Sequence, residues 1–379
     1  MKNGFKIIDA DAHFYEPADI WNSHVEPEYF DRRPIVTKLH GKSIFEYDDG
    51  KTMGAMRSET LLSMMEEKFG HAFRDEWSVE SRIKDMDNEG WDIQVCLPTN
   101  ASEDGAPDYA EPDVAAALCR AYNNWAHEFC SDFPTRLKFT AIVPGQDLLA
   151  MAKETRRAVD NLGAISIVVP KAIPDKMWHH NDYDPVWATL QELDCPLSLH
   201  GAYSGEPLAN ARYQSMTGPF VAMGGIINFP FENMISMAHF MFSGILDRFP
   251  NLRLLILEAT AGWLPFWLHR LDTYTEGRQA VFFGENLLKL SPREYFERQC
   301  AVAADADEPT LKYVIDYIGN KNIVFNTDYP HPDALAPSEA LEFMMAQPVS
   351  DESKKNILWD NSVKIYGNRI VSGHPLANS

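Results

Sequence analysis

Phe5-Lys6-Ile7-Ile8-Asp9-Ala10-Asp11-Ala12-His13 is an apolar run that ends in Asp-x-His. Residues two apart on a strand point to the same side, so the spacing predicts that Asp11 and His13 project together from its C-terminal end. The same design recurs downstream. Cys195-Pro196-Leu197-Ser198-Leu199-His200 closes on an imidazole, Leu254-Leu255-Ile256-Leu257-Glu258 on a carboxylate, and Ile323-Val324-Phe325-Asn326-Thr327-Asp328 on another. Each terminal residue alone has an ordinary reading, because a strand-end Asp often caps the next helix and a His beside apolar residues often belongs to the core. Five such side chains at the ends of hydrophobic strands are a pattern.

The rest of the chain supplies the frame. Short apolar or β-branched runs predict strands at 6–11, 92–97, 138–143, 164–169, 196–200, 253–258, 299–303 and 323–327. Amphipathic helices are expected at 114–129, 148–161, 185–193 and 231–249; in the first, Ala117, Leu118, Tyr122, Trp125, Ala126 and Phe129 follow a period near 3.6. Eight strands alternating with helices predict an α/β fold, a distorted (β/α)₈ TIM-type barrel forming one domain over 1–379. Two long segments interrupt the repeat, 21–75, with turn material at Asp48-Asp49-Gly50, and 201–230, with Met223-Gly224-Gly225. Both are expected as loop insertions on the C-terminal face, where such barrels place their active sites.

The chain has 379 residues, 45% of them hydrophobic, enough for one large core. Its 34 basic against 55 acidic residues give a net charge of −21, which repels nucleic acid and anionic membrane surfaces and leaves a small molecule as the expected partner. Five cysteines, an odd number with no CxxC pair, predict a reducing compartment without disulfides. The opening residues lack a signal-peptide pattern, so a cytoplasmic location is expected. Large barrels with exposed helices often pair, which makes a homo-oligomer the expected assembly.

A mixed set of imidazoles and carboxylates suits Zn²⁺, Mn²⁺ or Fe²⁺ far better than Ca²⁺. The candidate ligands are Asp11, His13, His200 and Asp328, with Glu258 and His239 extending the set towards two metals. His239, inside Ala238-His239-Phe240, also reads as a buried structural imidazole. Asp328, Glu258 and His331 are the candidate catalytic groups, His331 lying three residues beyond Asp328. Glu16 either orients a ligand or begins the next segment. Arg57 is a candidate for a substrate carboxylate or a solvated side chain. Trp263, with Phe229 and Phe231, lines a pocket or packs the core.

Several stretches resemble the amidohydrolase superfamily, in particular the group holding aminocarboxymuconate-semialdehyde decarboxylase and the resorcylate decarboxylases. They are Ile8-Asp9-Ala10-Asp11-Ala12-His13-Phe14-Tyr15-Glu16-Pro17 with Trp21, Cys119-Arg120-Ala121-Tyr122-Asn123-Asn124-Trp125, and Pro196-Leu197-Ser198-Leu199-His200. Further on come Gly244-Ile245-Leu246-Asp247-Arg248-Phe249-Pro250-Asn251-Leu252-Arg253, Leu257-Glu258-Ala259-Thr260-Ala261-Gly262-Trp263 and Asn326-Thr327-Asp328-Tyr329-Pro330-His331. The resemblance implies that Asp11 and His13 fill the first-strand metal positions, His200 the fifth and Asp328 the eighth. Two positions depart from the family pattern: relatives often carry His-x-His where this chain has Asp11-x-His13, and the decarboxylases carry a His where this chain has Glu258. The implied activity is hydrolysis or decarboxylation of a small carboxylated substrate with a divalent metal. The carboxylate-rich departures leave two further readings: a dinuclear non-haem iron oxygenase, and a metal-bearing non-catalytic subunit in a hetero-oligomer with a homologue.

Overall fold

The computed structural model describes residues 4–17, 19–39, 42–46, 52–53, 59–103, 111–173, 176–200, 208, 212, 222–275 and 288–376. Eight parallel strands run in chain order around one sheet: β1 (Ile8–His13), β2 (Ile93–Leu97), β3 (Leu137–Ala141), β4 (Ser166–Val168), β5 (Leu197–His200), β6 (Leu254–Leu257), β7 (Cys300–Ala304) and β8 (Ile323–Phe325). All eight expected strands are present, each within a few residues of its expected bounds. Helices follow the strands, and the fold is the (β/α)₈ barrel.

The seam between β1 and β8 is closed by hydrogen bonds just past the strand ends. His13 N donates to Tyr329 O (2.6 Å) and Asp328 N to Asp11 O (2.8 Å). A buried carboxylate reinforces the seam: Asp9 accepts from Thr327 N (3.0 Å) and Thr327 Oγ1 (2.6 Å) on one side and from Gln94 Nε2 (2.9 Å) on the other. Arg82, from the helix Val79–Glu89, completes this network by donating to Gln94 Oε1 (3.2 Å) and to the His13 carbonyl.

Along β1 the register slips. Asp9 pairs with Gln94 but Ala12 pairs with Cys96, so three steps on β1 meet two on β2. Ile8 and Ala10 pack into the barrel interior with Ile93, Val95, Leu97 and Leu257. Strict alternation from them would turn Asp11 and His13 outward; the extra residue turns both inward and leaves Asp9 facing Gln94. Tyr366 plugs the opposite end, its hydroxyl donating to Ala10 O (2.9 Å) beneath the site. The outer faces of the strands, among them Phe139, Ile167, Leu199, Ile256 and Phe325, pack against the helix layer.

Local chemistry sets the helices. Asp147 Oδ1 accepts from Leu149 N and Ala150 N to start Leu148–Asp160, and Ser291 with Glu294 forms a capping box on Pro292–Gln299. Helix Pro112–Ser131 carries Asn123, which clamps both the N–H and the C=O of Ile142 after β3. The expected helix at 185–193 is Asp184–Glu192. The helix expected at 231–249 differs: it is Ala222–Phe242 followed by Ile245–Arg248, broken at Gly244, whose φ of 76° suits glycine. Met223-Gly224-Gly225, read as loop, is therefore helical and Pro230 lies inside the helix, because packing on the barrel outweighs the local breakers. The segment 201–221 is otherwise described only at Leu208 and Arg212.

The first insertion is both hairpin and helix. An antiparallel sheet of Ile35–Leu39, Lys42–Glu46 and Thr52–Met53 is followed by the helix Glu59–Phe69. The turn expected at Asp48-Asp49-Gly50 lies outside the described residues. All five cysteines are buried free thiols, and no helix among the described residues is long and apolar enough to cross a membrane.

Replacing Asp9 by Ala strands the donors of Thr327 and Gln94 in the core. The expected loss is about 2–4 kcal/mol of unfolding free energy, read from urea denaturation, because buried donors without acceptors carry their full desolvation penalty.

Candidate metal centre

Four strand tips supply five ligand-type side chains. Asp11 and His13 come from β1 and are fully buried. His200 ends β5. Glu258 follows β6 and Asp328 lies three residues past β8; both have left-handed φ, 50° and 55°. That conformation is costly for residues other than glycine, and it is held here by the surrounding bonds. Thr327 is tied to Asp9 and donates its N–H there, so the chain reverses and Asp328 faces the barrel axis. The Glu258 loop is tied by Glu308, whose Oε2 accepts from Ala261 N (2.9 Å) while its Oε1 accepts from Thr310 Oγ1 (2.6 Å). A Cβ on Gly262 would sit 2.5 Å from that Thr310 oxygen, so only glycine fits beneath the loop.

The ligand atoms converge. His13 Nε2 lies 3.4 Å from Asp11 Oδ1, 3.4 Å from Asp328 Oδ1 and 3.1 Å from His200 Nε2, and His200 Nε2 lies 2.7 Å from Glu258 Oε2. Donors bound at about 2.0–2.2 Å to one tetrahedral or octahedral ion lie roughly 3 Å apart. Two candidate ligand groups meet this closeness among the described residues, Asp11 with His13 and His200, and His13 with Asp328 and His331, so the expected set of four is divided between two groups that share His13. Both Asp11 oxygens are buried and accept no hydrogen bond, a costly state that a bound cation relieves. Burial pushes the Asp11 carboxyl well above the usual carboxylate range; His200 opposes the shift, while Asp328 and Glu258 add to it. Burial, with repulsion from His331 and His200, holds His13 well below the ordinary imidazole range, so the ring is neutral, as a ligand to a metal would need to be. Its Nδ1 lies 3.2 Å from Pro98 O, which assigns the proton to Nδ1 and the lone pair to Nε2, facing the cluster. The donor set fits a divalent transition metal.

A second layer supports these groups. Thr99 Oγ1 lies 3.2 Å from His13 Nδ1 and 2.9 Å from His331 Nε2, and His331 stacks on His13 with centroids 3.9 Å apart. His331 Nδ1 reaches Asp328 Oδ1 at 2.9 Å. Glu16 accepts from Thr99 N (3.1 Å) and Asn100 N (2.9 Å), fixing the loop that carries Thr99; burial raises its carboxyl to about 7. Glu16 thus orients a ligand's support rather than a ligand.

Beside the cluster opens a cavity of about 380 Å³. Glu258, Asp305, Asn326 and Asp328 form its polar wall, and Ile226, Phe229 and Leu335 line its apolar side. Asp305 follows β7, accepts from Asn326 Nδ2 (3.3 Å) and is raised by burial to about 6. It carries the same sequence signal as the other tips, a carboxylate just past an apolar run, but the expected strand stops at Ala303, whereas the strand itself runs to Ala304 and leads into Asp305. Thr99 left no comparable signal.

Other candidates lie elsewhere. His239 joins neither candidate ligand group among the described residues; its Nε2 is 3.3 Å from His179 Nδ1 and its ring meets Trp178 edge-on. The helix that bears it turns this position outward, away from the barrel axis. Trp263 is not among the cavity-lining residues: its indole N–H donates to Ala259 O (2.8 Å), bracing the Glu258 loop. Phe231 is exposed on the outside of its helix. Arg57 lies outside the described residues.

The family model described as Amidohydrolase matches residues 8–368. The 2-amino-3-carboxymuconate-6-semialdehyde decarboxylase of Dictyostelium discoideum is 24% identical over 292 residues, 77% of each chain. A solved amidohydrolase from Mycobacterium avium subsp. paratuberculosis K-10 superposes with a TM-score of 0.76 at 21% identity, covering 96% of this chain and 100% of that one. A dihydroxybenzoic acid decarboxylase from Polaromonas sp. JS666, solved with manganese and the inhibitor 2-nitroresorcinol, gives 0.66 at 20% identity, covering 96% and 97%.

Elemental analysis of variants tests the ligand assignment. Asp11→Ala and His200→Ala are expected to lose most of the bound metal, and His239→Ala to keep the wild-type content.

Proposed function

We propose that this chain, which belongs to the amidohydrolase family, is a decarboxylase that uses one divalent metal to remove CO₂ from a small carboxylated substrate at the barrel mouth. The observation that carries this reading is the convergence of Asp11, His13 and His200, with Asp328 and His331 meeting them at His13 and both Asp11 oxygens unsatisfied, beside a cavity of substrate size. The decarboxylases among the relatives support carbon–carboxyl cleavage ahead of hydrolysis. Manganese in the Polaromonas structure supports manganese ahead of zinc or iron.

A divalent cation held by Asp11, His13, His200 and Asp328 would supply a Lewis acid for the substrate's carboxylate or a neighbouring oxygen. The apolar wall of Ile226, Phe229 and Leu335 receives the substrate body and excludes water from it. Breaking the carbon–carboxyl bond leaves its electron pair on the substrate carbon, which must take up one proton. Glu258, on the cavity wall beside His200, is placed to pass that proton from solvent to carbon. His331 and Thr99 hold Asp328 and His13 in place throughout.

Three measurements test this. CO₂ release from a panel of hydroxy- and amino-substituted aromatic or dienoic acids should depend on added Mn²⁺ and be abolished in Asp328→Ala. Glu258→Gln should retain metal yet lose about 10²–10⁴-fold in kcat, the usual range for a general acid. About two irons per chain with O₂ consumption, a hydrolysed product, or activity only in the presence of a homologous subunit would each overturn the reading.

Asp305 adds a pH dependence. Its carboxyl, raised to about 6, is neutral below that pH and anionic above it, so it repels an anionic substrate increasingly as pH rises. KM should therefore climb through pH 6, and Asp305→Asn should flatten that limb of the profile.

A further inference from the structure

Two imidazoles face each other outside the barrel. His239 Nε2, on helix Ala222–Phe242, lies 3.3 Å from His179 Nδ1, and the ring centroids are 5.2 Å apart. His179 sits in a turn closed by His180 N donating to Met177 O (2.8 Å). The separation is long for a hydrogen bond, which ordinarily spans about 2.7–3.2 Å when nitrogen donates. It matches the edge of a tetrahedron around an ion held by imidazole at about 2.0–2.1 Å, an edge of about 3.3–3.4 Å.

Packing fixes both rings from behind. Trp178 and Phe240, the residues beside His179 and His239, are fully buried and stack with centroids 5.4 Å apart. Trp178 Nε1 donates to Pro170 O (3.2 Å), and the Trp178 carbonyl accepts from Trp187 Nε1 (3.2 Å). On the helix side, Met234, Met237 and Met241 are buried. Core packing therefore sets the two nitrogens face to face, which lowers the entropy lost when they bind a ligand together.

Charge and exposure select that ligand. Burial, with repulsion from His179, lowers His239 to about 4, so its ring is neutral at pH 7 and can bind a metal without first losing a proton. His239 is half-buried and His179 exposed, so an ion reaches the pair from solvent and completes its shell with water. Among the described residues, the groups of three or more potential ligands lie at the barrel mouth, and no carboxylate joins this pair in such a group. Neutral nitrogen donors alone favour zinc, copper or nickel over manganese, magnesium or calcium.

We propose that His179 and His239 form a second metal site, outside the barrel, that takes one exchangeable Zn²⁺ ion. The ion would tether the segment after β4 to the helix whose other end lines the cavity through Gly225, Ile226 and Phe229. With only two protein ligands it is lost on purification, so the metal content of the isolated protein is set at the barrel mouth. The proposal does not depend on the reaction assigned above.

Equilibrium dialysis against Zn²⁺ tests it. The wild type should hold one equivalent more than His179→Ala or His239→Ala, whereas His180→Ala, which removes the neighbouring exposed imidazole, should match the wild type. Dialysis against Mn²⁺ should show no such difference. If a variant fails to fold, the wild type supplies an independent readout: Zn²⁺ should shield His179 from carbethoxylation by diethyl pyrocarbonate, read by peptide mass spectrometry, while His180 stays reactive. Equal zinc in the wild type and both variants, an equal loss in His180→Ala, or a His179 as reactive with Zn²⁺ as without it would each overturn the proposal and leave an imidazole–imidazole hydrogen bond only.

Discussion

The site depends on how the barrel closes. Eight strands meet only if β1 and β8 are joined, and the joining falls to a desolvated carboxylate, Asp9, with backbone bonds from His13 and Asp328. The seam lies beside the register slip in β1. The slip turns Asp11 and His13 inward while Asp9 stays outside to grip Gln94 and Thr327. Closure and presentation of the candidate ligands are therefore one event, since the bonds that shut the barrel also orient His13 and Asp328. Burial raises Asp9 to about 7, and four hydrogen bonds oppose that shift without abolishing it. The network is costly to assemble and specific once formed.

Inside the seam, the chain gathers Glu258 and Asp328 around the fully buried Asp11. Burial, with Asp328 and Glu258 beside it, raises the cost of ionising Asp11, and His13 is held neutral by burial. Left-handed backbone at Glu258 and Asp328 adds conformational strain. Each penalty is offset by rigid surroundings: Glu308 and Gly262 under one loop, Thr327 and His331 on either side of Asp328. A cation in the centre reverses the sign of the electrostatic part, turning mutual repulsion into shared attraction.

Helix Ala222–Phe242 connects this chemistry to the exterior. It lines the cavity at one end, Asn233 reaches Leu257 O beside Glu258, and its outer face is left uncharged. Pro230 and the Gly224-Gly225 pair would break an isolated helix here. Burial of the methionine face keeps it intact.

The sequence by itself determined the barrel and the five strand-tip side chains, because strand burial imposes apolar runs and a site at the C-terminal face places polar residues where those runs stop. It did not determine which side chains share a sphere. The two-residue period put Asp11 and His13 together, but only the register slip decides that they face inward. His239 carried the same imidazole as His200, and its helix turns it to His179. Asp305 and Thr99 join the site through loops whose course depends on Asn326, Glu16 and the stacked imidazoles. Such contacts join residues far apart in the chain, Thr99 and His331 by 232 positions and the seam pair Asp9 and Thr327 by 318. No local periodicity encodes a distance of that kind, because it is set by packing between strands and loops that meet only when the barrel closes.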